Sequence, residues 1–303
     1  MNVYLASPHG NYFLNAYKER LMEIYLAGAA SGNNNAIWKN NAKNPKQAFK
    51  ELKIDDMDIY LAGTYSKKAT EETIPDTEKI FVLESFYYVN EWMDPYIKEH
   101  WNFMLDSGAF TFMSNKGIGI NIDWDKYVER YANYINKLDI KLFFELDIDS
   151  IAGIKEVERL RTKLEKLTGK QSIPVWHKSR GLDYWKKMVK DYDYVSIGGI
   201  VSKEIKSSEF GIFTPLLKIA KENNCKVHAL GFTNQQGMKR YKFDSVDSTS
   251  WIYGNRGGFL YKFNGRDIIK IYKPPNTRLK AKNVAVHNFK EWVKFQKYAY
   301  ENL

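Results

Sequence analysis

The sequence predicts an α/β protein: a (β/α)8 barrel followed by a basic C-terminal extension built from a β-hairpin and a helix. Three observations predict it. Short β-branched and aromatic runs alternate with helical periodicity, the pattern of a parallel sheet with helices outside it. Eight such units occupy about 230 residues, close to the ~250 typical of this barrel. No G-x-G-x-x-G loop follows any of the runs, which counts against the competing doubly wound open sheet. The expected boundaries are 1–258 for the barrel and 259–303 for the extension.

In chain order, the strand candidates are Glu23–Ala27, Asp58–Ala62, Asn102–Leu105, Lys141–Leu146, Ile173–His177, Tyr194–Ile197, Lys226–Leu230 and Phe243–Val246, with Lys79–Glu84 able to replace the second. Amphipathic segments lie between them: Trp124–Leu138, Ile154–Leu167, Leu182–Asp191, Gly211–Asn223 and Gln235–Tyr241. The string Ile-Tyr-Leu-Ala-Gly stands at Ile24–Gly28 and again 35 residues on, with Val3–Ser7 as a weaker echo. Shared strand chemistry accounts for it. Asparagine-rich Ser31–Pro45 and polar Tyr65–Asp76 read as loops. Past Trp251 the pattern becomes a hairpin, Phe259–Phe263 and Asp267–Tyr272 turning at Asn264-Gly265. A basic loop and a helix from about His287 to Tyr300 close the chain.

Composition bounds the class. The 303 residues carry 46 Lys and Arg against 36 Asp and Glu, a formal charge of +10. Hydrophobic residues at 44% and aromatics at 15% exclude a disordered chain. A single cysteine, Cys225, excludes a disulfide framework and any thiolate zinc cluster within the chain. Neither a signal peptide nor an apolar run of about 18 residues is visible, so a soluble cytoplasmic protein without membrane contact is expected. From Tyr261 to Leu303 ten Lys and Arg face three acids. Such a surface attracts polyanions, although a solvated basic face is about as common.

In a barrel the reacting groups sit where strands end. Here one strand runs into Asp106-Ser107-Gly108, another into Asp147 with Asp149 beyond, and a third into His177. Others end at Gly198-Gly199, at Gly231 and at Asp247-Ser248-Thr249. Each has an ordinary explanation as a turn or cap. Three carboxylates and an imidazole expected on one face are harder to dismiss. Paired carboxylates suit chemistry at an anomeric carbon, one attacking while the other moves a proton. Glycine turns admit a planar ligand close to the backbone. Phe110, Phe112, Trp176, Phe232 and Trp251 are candidates to stack on a base, although most aromatics must serve the core.

The order of Asp106-Ser107-Gly108-Ala109-Phe110, Tyr194–Ile200, Gly231-Phe232 and Ser245–Trp251 resembles the tRNA-guanine transglycosylases over roughly Met22 to Gly258. It is more similar still to the phage-type relatives that insert 7-deazaguanines into DNA. The resemblance implies a (β/α)8 barrel exchanging guanine for a 7-deazaguanine, such as 7-cyano-7-deazaguanine, through a covalent glycosyl-aspartate. For a phage protein it implies the host cytoplasm and evasion of restriction. By motif, Asp106 matches the general acid/base, Asp247 the nucleophile and Asp147 the carboxylate that reads the guanine edge. Gly198 and Gly199 match the pair lying against the base. Ser107, Gly108, Phe110, His177, Gly231 and Trp251 complete the implied pocket, and Arg256, Lys273, Arg278, Lys280 and Lys282 are the expected nucleic-acid contacts.

Two departures matter. The tRNA enzymes carry a zinc site of three cysteines and a histidine after the nucleophile strand; no cysteine stands there in this chain, so no metal and no cofactor are expected. Asp244 also fits a Phe-Asp form of the nucleophile motif and is kept in reserve behind Asp247, which closes the strand. The missing zinc and the basic segment favour DNA over tRNA. An RNA-acting enzyme, an N-glycoside hydrolase using the same carboxylates, and a barrel that only binds nucleic acid are the rivals. Nothing in the sequence marks an oligomer interface.

Overall fold

A computed structural model describes residues 1–7, 80–89, 91–99, 101–108, 122–232, 234–251, 258–274 and 281–303. The chain divides into two compact units. The first comprises Met1–Pro8, Phe81–Ser248 and Leu303; the second comprises His9–Ile80 and Thr249–Asn302.

The first unit is α/β with a parallel sheet of eight strands: β1 (Asn2–Ser7), β2 (Ile80–Ser85), β3 (Trp101–Asp106), β4 (Leu142–Phe143), β5 (Val175–Trp176), β6 (Tyr194–Ile197), β7 (Lys226–Ala229) and β8 (Ser245–Ser248). Their order is β4-β3-β2-β1-β8-β7-β6-β5. Backbone bonds also join the segments at its two ends. Ile173 N donates to Phe143 O at 2.7 Å, and Glu145 N donates to Ile173 O at 3.1 Å.

Two of these strands differ from the sequence reading. The reserve candidate Lys79–Glu84 overlaps β2, and β1, which contains the echo Val3–Ser7, is another strand, pairing with β8 in the register Tyr4↔Asp247. Its alternation is too short to separate from a generic apolar run; pairing with a strand far along the chain defines it. Glu23–Ala27 and Asp58–Ala62 lie outside the described residues.

Leu83, Met104, Phe144, Ile173 and Val175 pack as one core cluster with Phe81, Leu142, Tyr194 and Leu230 against it. Strand side chains alternate with period two. Ser85 therefore shares the face of Leu83, Asp106 that of Met104, and His177 that of Val175. One face thus carries an apolar core that turns polar where the strands end.

The helices are α1 (Asp94–Glu99), α2 (Trp124–Leu138), α3 (Asp149–Ala152), α4 (Ile154–Thr168), α5 (Gly181–Asp191), α6 (Phe213–Glu222) and α7 (Gln235–Tyr241); all but the short α1 and α3 follow the expected segments. Helix α2 shows the local logic. The Asp123 side chain accepts from Lys126 N, satisfying one orphan N–H of the first turn, and Asp139 in the left-handed region (φ 53°) ends the helix. Between them Tyr127, Tyr131 and Ile135 recur every four residues on the buried face.

In the second unit the described parts are Ile80, Thr249–Trp251, the hairpin and the last helix. Strands β9 (Phe259–Phe263) and β10 (Ile268–Tyr272) pair antiparallel around Asn264, whose side chain accepts from Arg266 N and Asp267 N. Helix α8 (Ala281–Asn302) begins earlier than expected, because two alanines and a lysine, good helix formers, let 281–286 join it. Its Asn288 and Glu291 side chains accept from Tyr261 N and Phe263 N at 2.7 Å each, so the helix caps the open edge of β9. Among the described residues no helix is long and apolar enough to cross a membrane.

Candidate active site

The strand-end residues of the first unit form one electrostatic group. Asp106 closes β3, and its carboxylate accepts from Gly108 N at 2.9 Å. Gly108 has φ +83° and no room for a side chain, since a Cβ would stand 2.9 Å from Tyr87 Cβ and 3.0 Å from the Tyr127 hydroxyl. That hydroxyl donates to Ser107 O at 2.7 Å, and the Tyr131 hydroxyl lies 3.0 Å from the carbonyls of Leu105 and Phe144. Two tyrosines one turn apart on α2 thereby hold the end of β3. Burial pushes the Asp106 pKa up to about 6, against the Gly108 N–H, and the Asp247 and Asp147 carboxylates add to the rise. Asp247 and Asp147 are thus each within electrostatic reach of Asp106.

Asp247 lies buried on β8. Its Oδ1 accepts from Gly231 N and lies 3.3 Å from His228 Nε2. Gly231 (φ +69°) turns the chain directly after β7; a Cβ there would collide with Val201 Cγ2 at 2.2 Å. Asp244 goes elsewhere. It is exposed ahead of the first residue of β8 and accepts from Val227 N at 2.8 Å, at the opposite end of the strand from the carboxylate group.

Asp147 faces His177. Nε2 of the imidazole lies 2.9 and 2.8 Å from the two Asp147 oxygens, and Nδ1 lies 2.8 Å from Glu204 Oε2. Burial alone would lower the His177 pKa, but Asp147 and Glu204, with Asp149 behind them, hold it at about 9. At neutral pH the ring is an imidazolium with both N–H groups engaged. None is left for a purine carbonyl in this arrangement. The ring also lies under Gly198, where a Cβ would meet His177 Cε1 at 2.9 Å. Glu204 presses on Gly199 in the same way, at 2.7 Å.

Behind Asp147 stands Arg180. It donates to Asp149 at 3.2 Å, lies 3.4 Å from Asp147, and bonds Glu145 at 3.1 Å. Glu145, fully buried, also accepts from Arg161 at 2.9 Å and from Val175 N at 2.8 Å. Asp147, Asp149 and His177 each offer one ligand atom within 4.8 Å of the others, a set that can in principle hold a cation. The Arg180 guanidinium and the imidazolium already supply its positive charge.

Several expected residues take other places. Trp176 and Phe232 are core: Trp176 packs edge-on against Trp185, and Phe232 sits among Phe210, Phe213 and Phe243. Trp251 is buried against Phe289 in the second unit, with its carbonyl taken by Asn288. Lys273 donates from its backbone to Gly258 O; of Lys282 only the backbone, in α8, is described. Phe110, Phe112, Arg256, Arg278 and Lys280 lie outside the described residues. Conversely, His228, Glu204, Arg180, Glu145 and Ser85 belong to the group and were not singled out. Glu145 and His228 had a signal, a polar residue inside an apolar strand run; Glu204 had none.

No protein-family model matches this sequence, and no curated protein sequence matches it significantly.

Proposed function

We propose that the chain is a base-exchange transglycosylase that replaces guanine in DNA with a 7-deazaguanine, and that its parallel sheet is a closed (β/α)8 barrel. The closure rests on the bonds joining Phe143–Glu145 to Ile173. The function rests on one observation above all. A carboxylate held by backbone and imidazole donors, Asp247, sits within electrostatic reach of a second, Asp106, whose pKa of about 6 lets it work in both protonation states near neutrality.

In the proposed cycle Asp247 attacks C1′ of a guanine nucleotide flipped out of its helix. The C1′–N9 bond breaks, its electron pair stays on N9, and Asp106 as the acid delivers a proton to the departing base. The incoming base then attacks C1′ through N9. The ester bond to Asp247 breaks, and Asp106, now a carboxylate, accepts the N9 proton. Asp147, fixed by His177, presents its oxygens to the N1–H and amino group of the base. The glycines at 198 and 199 let His177 and Glu204 lie against the backbone, where the two side chains hold Asp147 in place.

DNA is favoured over tRNA by the lack of a cysteine zinc site and by the basic C-terminal segment. The test incubates the protein with duplex DNA, and separately with tRNA, in the presence of labelled guanine or 7-deazaguanines. Digested nucleosides are then weighed by mass spectrometry. Label in DNA with wild type and none with Asp247→Asn is the expected result. Label in tRNA alone would overturn the polymer, and release of free base without incorporation would establish a hydrolase.

A further inference from the structure

His228 has no exposed surface and stands on β7 between Val227 and Ala229. Its ring lies edge-on to Phe144 at 5.3 Å. A polar ring in such a place must have its nitrogens satisfied, and both are. Nδ1 lies 2.5 Å from Ser245 Oγ, and Nε2 lies 3.3 Å from Asp247 Oδ1. Ser245 Oγ in turn bonds the Tyr194 hydroxyl. The parallel register aligns these groups, with Ser196 opposite His228 and His228 opposite Ser245.

Serine, histidine and aspartate in contact invite comparison with a hydrolytic triad, but the burial runs the wrong way. In a triad the serine faces the substrate and the aspartate is buried behind the histidine. Here Ser245 has no exposure, and Asp247 is the member closest to solvent. The chain of bonds serves the carboxylate.

We propose that His228 is the positioning residue for Asp247, anchored from beneath by Ser245 and Tyr194, and that it donates from Nε2 to Oδ1 so that Oδ2 is the oxygen presented to C1′. This rests on the reading of Asp247 as the nucleophile. The directions that satisfy every group run one way: Tyr194 O–H to Ser245, Ser245 O–H to Nδ1, and Nε2–H to Asp247. Gly231 N donates to the same Oδ1, so both donors fix one oxygen and neither falls on the other. A carboxylate held this way loses rotational freedom before the substrate arrives, which is where a positioning residue contributes.

Two measurements test this. In exchange assays His228→Phe, which keeps a ring beside Phe144 but has no N–H, should lower kcat by about 100-fold, the scale of one lost preorganised donor. KM for the free base should stay within about twofold, and His228→Gln, which restores an N–H near the Nε2 position, should recover most of the loss. Equal losses in both variants, or an unchanged kcat in His228→Phe, would overturn the proposal. The second measurement needs no turnover. Nitrogen NMR of 15N-histidine-labelled protein should show His228 protonated on Nε2, with Asp247→Asn moving the Nε2 signal and Ser245→Ala the Nδ1 signal. A ring protonated only on Nδ1 would overturn the proposal even in a protein that exchanges no base. The expected NMR pattern without exchange would instead place the failure in the transglycosylase reading.

Discussion

Asp147 and His177 meet through a single nitrogen: Nε2 lies 2.9 Å from Oδ1 and 2.8 Å from Oδ2, while the far side of the ring, Nδ1, is held by Glu204. The ring is therefore a cationic bridge between two carboxylates from different loops. It orients Asp147 and ties it to the loop that follows Gly198 and Gly199.

That bridge sets a pH dependence. The folded pKa of His177, about 9, lies above the ordinary histidine value of 6.5. Its contribution to stability is fully present below pH 6.5 and is lost as pH rises through 9. The loss amounts to about 2–3 kcal/mol. Thermal denaturation of wild type between pH 6 and 10 should show a falling limb that His177→Gln flattens. Parallel limbs in the two proteins would refute the bridge.

Asp106 carries the same sign for a different reason. Its folded pKa of about 6 is above the ordinary aspartate value of 3.8, so the folded state is favoured below pH 3.8 and that advantage is lost as pH rises through 6. Asp106→Asn should abolish exchange and yet stabilise the fold at pH 8, by about 2–3 kcal/mol, with little effect at pH 4. Melting temperatures at the two pH values check this directly.

Glu145 is a buried carboxylate paired with two cations, Arg161 and Arg180. Burial pushes its pKa up and the two guanidinium groups oppose the rise. Glu145→Gln leaves both cations without their shared counter-charge and should cost about 3–5 kcal/mol. Urea unfolding at pH 7 measures it.

Gly198→Ala tests how closely the backbone must approach its neighbours. The added carbon would stand 2.8 Å from Val175 Cγ1 and 2.9 Å from His177 Cε1. Because His177 holds Asp147, the substitution should raise KM for the base by tenfold or more on the order of one displaced hydrogen-bond partner, and destabilise by about 1–3 kcal/mol. An unchanged KM would show that His177 can shift without moving Asp147.

Chelation separates the two readings of Asp147, Asp149 and His177. With Arg180 bonded to Asp149 and close to Asp147, EDTA treatment should leave exchange unchanged. Loss of activity, restored by a divalent cation, would mean that Arg180 yields its place.

Much of this arrangement was legible in the residues. Runs such as Leu142–Leu146 and Val195–Ile197 mark strands because largely apolar character suits a sheet covered on both faces, and each breaks at an Asp or Gly where the covering ends. Asp106, Asp147, His177 and Asp247 were therefore visible as strand ends from the chain alone. Tertiary structure decided what each of them touches. Asp244 and Asp247 differ only in which side of Ser245 they stand, and the start of β8 at that residue, set by pairing with β1 and β7, sends one to a backbone N–H of β7 and the other to the carboxylate group. His228 acquires its role because the parallel register sets it beside Ser245, and Glu204 because its loop folds back onto His177. Such partners lie 17 to 30 residues apart or more. Local sequence carries periodicity and breaks in it, but contact across that distance is fixed by strand register and packing, which no short window of residues contains.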